Sequence, residues 1–112
     1  MTTVNAVVLE ERAGMLARRS IKADAKREAL RRAITMTDLT TLEGADSPGR
    51  VRALCRKGVS PAAGHARLPD VPSVAAICIY PSLLPVAREA LAGSPVRLAA
   101  VATGFPSGQY PL

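Results

Sequence analysis

The chain is short of aromatics, histidine, cysteine and long apolar runs, and each shortage excludes something. Its 112 residues hold one Phe, two Tyr and no Trp, 3% in all. A core must then be filled by Ala, Val, Leu and Ile, packed as small aliphatic layers, which suits an α/β protein. Few rings also leave little to stack bases along a nucleic-acid strand. Cys55 and Cys78 have neither the spacing of a redox pair nor the histidine partners of a zinc site, so they read as buried free thiols. The single histidine, His65, stands in a Pro/Gly-rich stretch with no ligand partner nearby and reads as a surface residue. No metal or cofactor is expected. No apolar stretch reaches the roughly 20 residues of a membrane helix, and the N-terminus lacks the basic-then-apolar order of a signal peptide. A soluble, cytoplasmic chain without membrane contact is expected. Arg12, Arg18, Arg19, Arg27, Arg31 and Arg32 crowd the start as in a mitochondrial presequence, but such peptides avoid acids, and Glu10, Glu11, Asp24 and Glu28 stand among them.

What is present fits one small domain: 48% of residues are hydrophobic, an ordinary globular value. The net charge of +6 suits nucleic acid, a phosphorylated substrate or a solvated basic face. The arginines are interleaved with acids along helical stretches, which weakens the nucleic-acid reading.

From Val8 to Arg32, Leu9, Ala13, Leu16, Ala17, Ile21, Ala25, Ala29 and Leu30 recur mostly at three- and four-residue steps, a helical period. Gly14 weakens the run and Ser20 can cap within it, so two helices or one bent helix are expected. A short apolar segment at Ala33 to Met36 is read as a strand end, with Asp38, Thr40 and Thr41 behind it. Asp46 or Ser47 before Pro48 signals a helix start, because a side-chain oxygen caps free N–H groups and proline fits the first turn. Val51, Leu54 and Cys55 share a face of that helix, and Gly58 is a stop. Ser60 to Ser73, with Pro61, Gly64, Pro69 and Pro72, reads as loop. Val74 to Tyr80, "VAAICIY", is an unbroken, partly β-branched run of the kind buried on both faces in parallel sheets. Pro81 ends it, Ser82 can cap the next helix, Leu84, Ala87 and Leu91 form its apolar side, and Gly93 stops it. Val96 to Phe105 is a third strand.

Helix, strand, helix, strand, helix, strand is the order of parallel βαβ units with right-handed crossovers. Eight such units would take about 250 residues, and about three fit here. The third strand would leave its backbone edge and apolar side chains bare, so the chain is expected to be a fragment or to assemble.

Three segments in this order carry a resemblance: "MTDLTTLEGAD" at Met36 to Asp46, "AAICIYPSLLPVAREAL" at Ala75 to Leu91, and "AAVATGFPSGQ" at Ala99 to Gln109. Together they resemble the amino-terminal part of deoxyribose-phosphate aldolase, a class I aldolase built as a (β/α)8 TIM barrel. The likeness runs from about Arg18 to Gln109. The helical lead "ARRSIKADAKREALRRAI" is similar to the N-terminal region of longer, eukaryote-like members. This implies two regions, an N-terminal helical extension over 1–32 and a partial barrel over 33–112. It also implies reversible cleavage of 2-deoxy-D-ribose 5-phosphate to D-glyceraldehyde 3-phosphate and acetaldehyde through a lysine Schiff base, in deoxyribonucleotide catabolism. Asp38 matches the aspartate in the hydrogen-bonded network beside the catalytic lysines. Thr40 and Leu42 match pocket residues, Cys78 a pocket-lining cysteine, and Phe105 the aromatic after the third strand. These positions fall at or near strand C-termini, where the barrel's chemistry gathers. An Asp-Leu-Thr-Thr run is also a common turn, held by side-chain to backbone hydrogen bonds.

A Schiff base needs an amine that deprotonates near neutral pH, by burial or beside another cation. Lys22, Lys26 and Lys57 all fall in expected helices among charged neighbours. The resemblance places the Schiff-base lysine, its partner lysine and the proton-transferring aspartate beyond Leu112, so these 112 residues alone are expected to be inactive. "GFPSG" does not read as a phosphate loop. A barrel-derived binding or assembly module is the alternative, partnered by a complementing barrel segment or by further copies in a homo-oligomer.

Overall fold

Between Arg18 and Lys22 the N-terminal helical pattern breaks, and two helices result: α1 at Ala6–Ala17 and α2 at Ala23–Thr35. This is seen in a computed structural model of the chain, which describes residues 4–68 and 70–109. Asn5 caps α1 through its side chain, whose Oδ1 accepts from the Val7 and Val8 amides at 3.1 and 3.3 Å. The break does not use Ser20 as a cap, because the N-cap of α2 is Lys22, which makes no side-chain capping bond. Lys22 therefore stands just ahead of the helix expected to contain it.

The first strand lies later than the sequence suggests. Ala33 to Thr35 belong to α2 and Met36 caps it, while β1 is Asp38–Thr40. The short apolar segment has too few residues to show a period, and the helix formers before it carry the helix through. Thr35 and Thr37 close the end by donating to the Arg32 and Ala33 carbonyls, each at 2.8 Å. Asp38 and Thr40 are thus strand residues, not loop residues behind a strand.

Ser47 caps α3, Pro48–Val59, accepting the Arg50 amide at 3.3 Å, with Pro48 in the first turn. Gly58 does not stop this helix. It is buried inside it, and a Cβ there would stand 2.7 Å from Ile77 Cδ1 and 3.1 Å from Val74 Cγ2. The glycine is a packing choice that lets α3 lie close on the second strand. A loop follows as expected, with Pro69 outside the described residues.

β2 is Ala76–Ile79, inside the expected run. A 3-10 turn at Pro81–Leu83 leads into α4, Leu84–Ala90, whose N-cap is Leu83 and not Ser82. Ser82 lies within the tight turn, too early to bond the first amides of α4. Gly93 follows α4 with φ +76°, a conformation that favours glycine. β3, Arg97–Ala100, is shorter than the expected Val96 to Phe105, because residues 103 to 107 turn over the end of the sheet.

The sheet runs β1-β2-β3 and is wholly parallel, with Asp38 beside Ala76, Thr40 beside Cys78, and Cys78 beside Ala99. Alternation along each strand gives two faces. Ile77 and Ile79 pack with Val51 and Cys55 of α3, Leu83 ahead of α4, and Ala87 of α4, and Leu39 and Leu98 pack against that cluster. Each fully buried Val or Ile in this layer contributes about 1.5–3 kcal/mol. The other face carries Asp38, Thr40, Ala76, Cys78, Arg97 and Ala99, and no described helix packs across it. This α/β arrangement of three parallel strands is consistent with the front of a (β/α)8 barrel. No described helix is long and apolar enough to cross a membrane.

Candidate functional site

At the C-terminal ends of the strands, two chain segments close over the sheet: 41–46 after β1 and 101–109 after β3. A tyrosine joins them. Tyr80, directly after β2, is fully buried, and its hydroxyl accepts the Ser107 amide at 2.7 Å. The same hydroxyl lies 3.2 Å from the Leu42 carbonyl and 3.3 Å from the Gly104 carbonyl, so its single proton serves either loop. Ser107 Oγ also donates to the Leu42 carbonyl, at 2.8 Å, and Gln109 Nε2 donates to the Gly44 carbonyl, at 2.8 Å.

The first loop has its own anchor. The Asp46 side chain is completely buried; Thr41 Oγ1 donates to it at 2.7 Å and the Glu43 amide at 3.0 Å. Arg50 Nε of α3 lies 3.7 Å away, exposed. A buried carboxylate without such donors would be costly, so the three partners account for its position. Thr41 and Asp46 thus form the turn, which leaves Asp38 and Thr40 outside this hydrogen-bonded turn.

Asp38 and Thr40 stand exposed on the helix-free face, two residues apart on one strand and so on one side of it. Cys78, half-buried, is the register partner of Thr40 and shares that face. Those three residues are brought together. Leu42 lies past the end of β1, half-buried, held through its carbonyl. Phe105 is 71% exposed on the turn after β3, so it is not a core residue among those described. Tyr80 and Ser107, which hold the site's loops, are not singled out by sequence patterns, and Asp46, which reads as a candidate cap for α3, instead anchors the loop while Ser47 caps the helix. The only available signal is a lone tyrosine at the end of an apolar strand.

Lys26 and Lys57 lie exposed on α2 and α3, and Lys22 is exposed at the α2 N-cap. Cys55, buried in α3 among apolar side chains, has its thiol pKa pushed up by loss of solvation. Among the described residues no three His, Cys, Asp or Glu side chains gather as a metal site.

A wholly parallel sheet with helices packed on one face defines the class, a parallel α/β protein, and Asp38 opens β1, whereas the sequence places it at or near a strand C-terminus. No family model matches the chain. Among curated proteins, deoxyribose-phosphate aldolase of Mus musculus is 38% identical over 94% of this chain. A Caenorhabditis elegans protein, named "Putative deoxyribose-phosphate aldolase", is 36% identical over 77% of it. The chain is therefore a homologue of the deoxyribose-phosphate aldolases. It spans only 35% and 28% of the lengths of these two relatives.

Proposed function

We propose that this chain supplies the front of a class I aldolase barrel that cleaves 2-deoxy-D-ribose 5-phosphate to D-glyceraldehyde 3-phosphate and acetaldehyde. The observation that carries the reading is the placement of Asp38, Thr40 and Cys78 on one open face of the parallel sheet, Asp38 opening β1 and Thr40 and Cys78 lying nearer the strand C-termini, in a chain 38% identical to the mouse aldolase. In this reading residues 1–32 form a helical extension and 33–112 the partial barrel. Asp38 accepts from the ammonium groups of lysines brought by later strands, orients them and helps set their pKa values. The Thr40 hydroxyl holds a substrate hydroxyl, while Leu42 and Cys78 line the apolar wall. Phe105 closes over the ligand from the loop after β3.

The Schiff-base amine comes from outside this chain. Lys22, Lys26 and Lys57 are exposed on helices or at a helix end, and none stands on a strand or in the loops that follow the strands. Catalysis by these 112 residues alone is thus not expected.

Two experiments test this. Acetaldehyde followed by borohydride reduction should leave the intact mass of the chain unchanged; a stoichiometric two-carbon adduct on one lysine would overturn the assignment of the amine. A chimera with this chain in place of the matching segment of the mouse relative should cleave deoxyribose 5-phosphate, and Asp38→Asn should abolish that. A well-folded but inactive chimera, or an undiminished Asp38→Asn variant, would count against the proposed roles.

A further inference from the structure

A groove of about 680 Å³ runs between α2 and the loop before β2. Thr37, just ahead of β1, also lines it, which sets it at the N-terminal ends of the strands, away from Thr40 and Cys78. Three guanidinium groups face into its lining: Arg27 and Arg31 from α2, one helical turn apart, and Arg67 from the loop. Asp70 is the one carboxylate among them. Arg27 reaches Asp24 at 3.6 Å, an exposed pair that contributes little. Arg31, half-buried, and Arg67 have no carboxylate within 4.0 Å among the described residues. Three cations against one anion leave the groove an excess of two positive charges.

The rest of the lining is mostly apolar. Leu30 and Leu68 stand 57% and 55% exposed on it, beside half-buried Ile34 and Val71. Its one hydroxyl, that of Thr37, already donates to the Ala33 carbonyl at 2.8 Å. Such a lining selects its ligand by exclusion. It has no aromatic ring to stack on a base or a sugar, and no free hydroxyl or amide side chain to read a sugar's hydroxyls. The volume is that of a small-molecule site. A peptide that adds to a sheet needs an open strand edge, which a helix and a loop do not offer. The lining therefore asks for a doubly negative head on an apolar body. A phosphomonoester carries about −1.5 to −2 at pH 7, and guanidinium groups hold its oxygens in bidentate pairs.

We infer that this groove binds a free single-chain alkyl phosphomonoester, with the phosphate held by Arg31 and Arg67 and the chain laid over Leu30 and Leu68. This binding does not depend on the aldolase reading, because no residue at the strand C-termini takes part.

The test is an NMR titration of the full chain with octyl phosphate below its micellar concentration. The amides of Leu30, Arg31, Arg67 and Leu68 should shift and saturate, with a dissociation constant of about 1 mM or tighter. Inorganic phosphate lacks the chain and octanol lacks the charge, so each should bind at least about tenfold more weakly. Arg31→Gln with Arg67→Gln, or Leu30→Gln with Leu68→Gln, should weaken octyl phosphate by at least about tenfold. None of these four residues is in the buried core, so circular dichroism should show the parent's helical signal. The absence of a saturable shift overturns the proposal, as does indifference to the arginine pair. Equal binding of inorganic phosphate would mark a simple anion site, and binding confined to phosphatidic acid vesicles would mark a lipid surface as the ligand; either overturns it equally.

Discussion

Tyr80→Phe is the sharpest probe of how the candidate site is held. The substitution keeps the ring in its fully buried position and removes one oxygen. That oxygen accepts from the Ser107 amide at 2.7 Å and donates to the Leu42 or Gly104 carbonyl. Both carbonyls keep other donors: Ser107 Oγ at 2.8 Å for Leu42 and the Gly108 amide at 2.6 Å for Gly104. The Ser107 amide loses its partner. Losing a net hydrogen bond costs about 1 kcal/mol, and stranding a buried donor costs about 1–3 kcal/mol. Ser107 itself is exposed, so water replaces part of the loss. The expected total is about 2 kcal/mol, which with an ordinary urea dependence lowers the unfolding midpoint by roughly 1 M. The local readout is amide exchange: Ser107 and its neighbours should lose protection in the variant while β2 keeps its own. An unchanged midpoint together with unchanged exchange at Ser107 would refute the tyrosine staple.

Three further outcomes follow from the packing and the titrating groups. Gly58→Ala gains helix propensity of up to about 1 kcal/mol, but its Cβ would meet Ile77 and Val74 at 2.7 and 3.1 Å; overpacking should prevail by about 1–2 kcal/mol, seen as a lowered melting temperature. Asp46→Ala removes the acceptor for Thr41 and the Glu43 amide and should cost about 2–3 kcal/mol, with Thr41→Ala on the same background adding little, as a double-mutant cycle would show. Cys55 holds its proton more tightly folded than unfolded. Its stabilising contribution is therefore complete below the ordinary thiol pKa of about 8.5 and is lost as pH rises from there toward the raised folded value. Denaturation measured from pH 7 to 10 should show that decline, and Cys55→Ala should remove it.

Several features were legible in the residues because local chemistry sets them. Ser47 before Pro48 starts α3, since an oxygen and a ring without an N–H suit a helix N-terminus. The apolar run around Ile77 is the central strand, because only a strand covered by neighbours is apolar for its whole length. The alternation that puts Asp38 and Thr40 on one side is equally local, although the strand holding them was misplaced. Ala33 and Ile34 look alike as the end of a strand or the last turn of a helix, and only Ile34's packing against the core distinguishes them. Gly58 reads as a stop by composition and is instead a spacer for Ile77.

The sequence by itself determined the order of elements and, with the exception of the segment at Ala33, their types, because periodicity and capping act within a few residues. The tertiary structure alone decided what holds the site. Tyr80 meets Leu42 across 38 residues, and Ser107 meets the same carbonyl across 65. Such bonds leave no periodic trace; they exist because parallel pairing brings the carboxyl ends of successive strands together, where the loops must satisfy one another's polar groups.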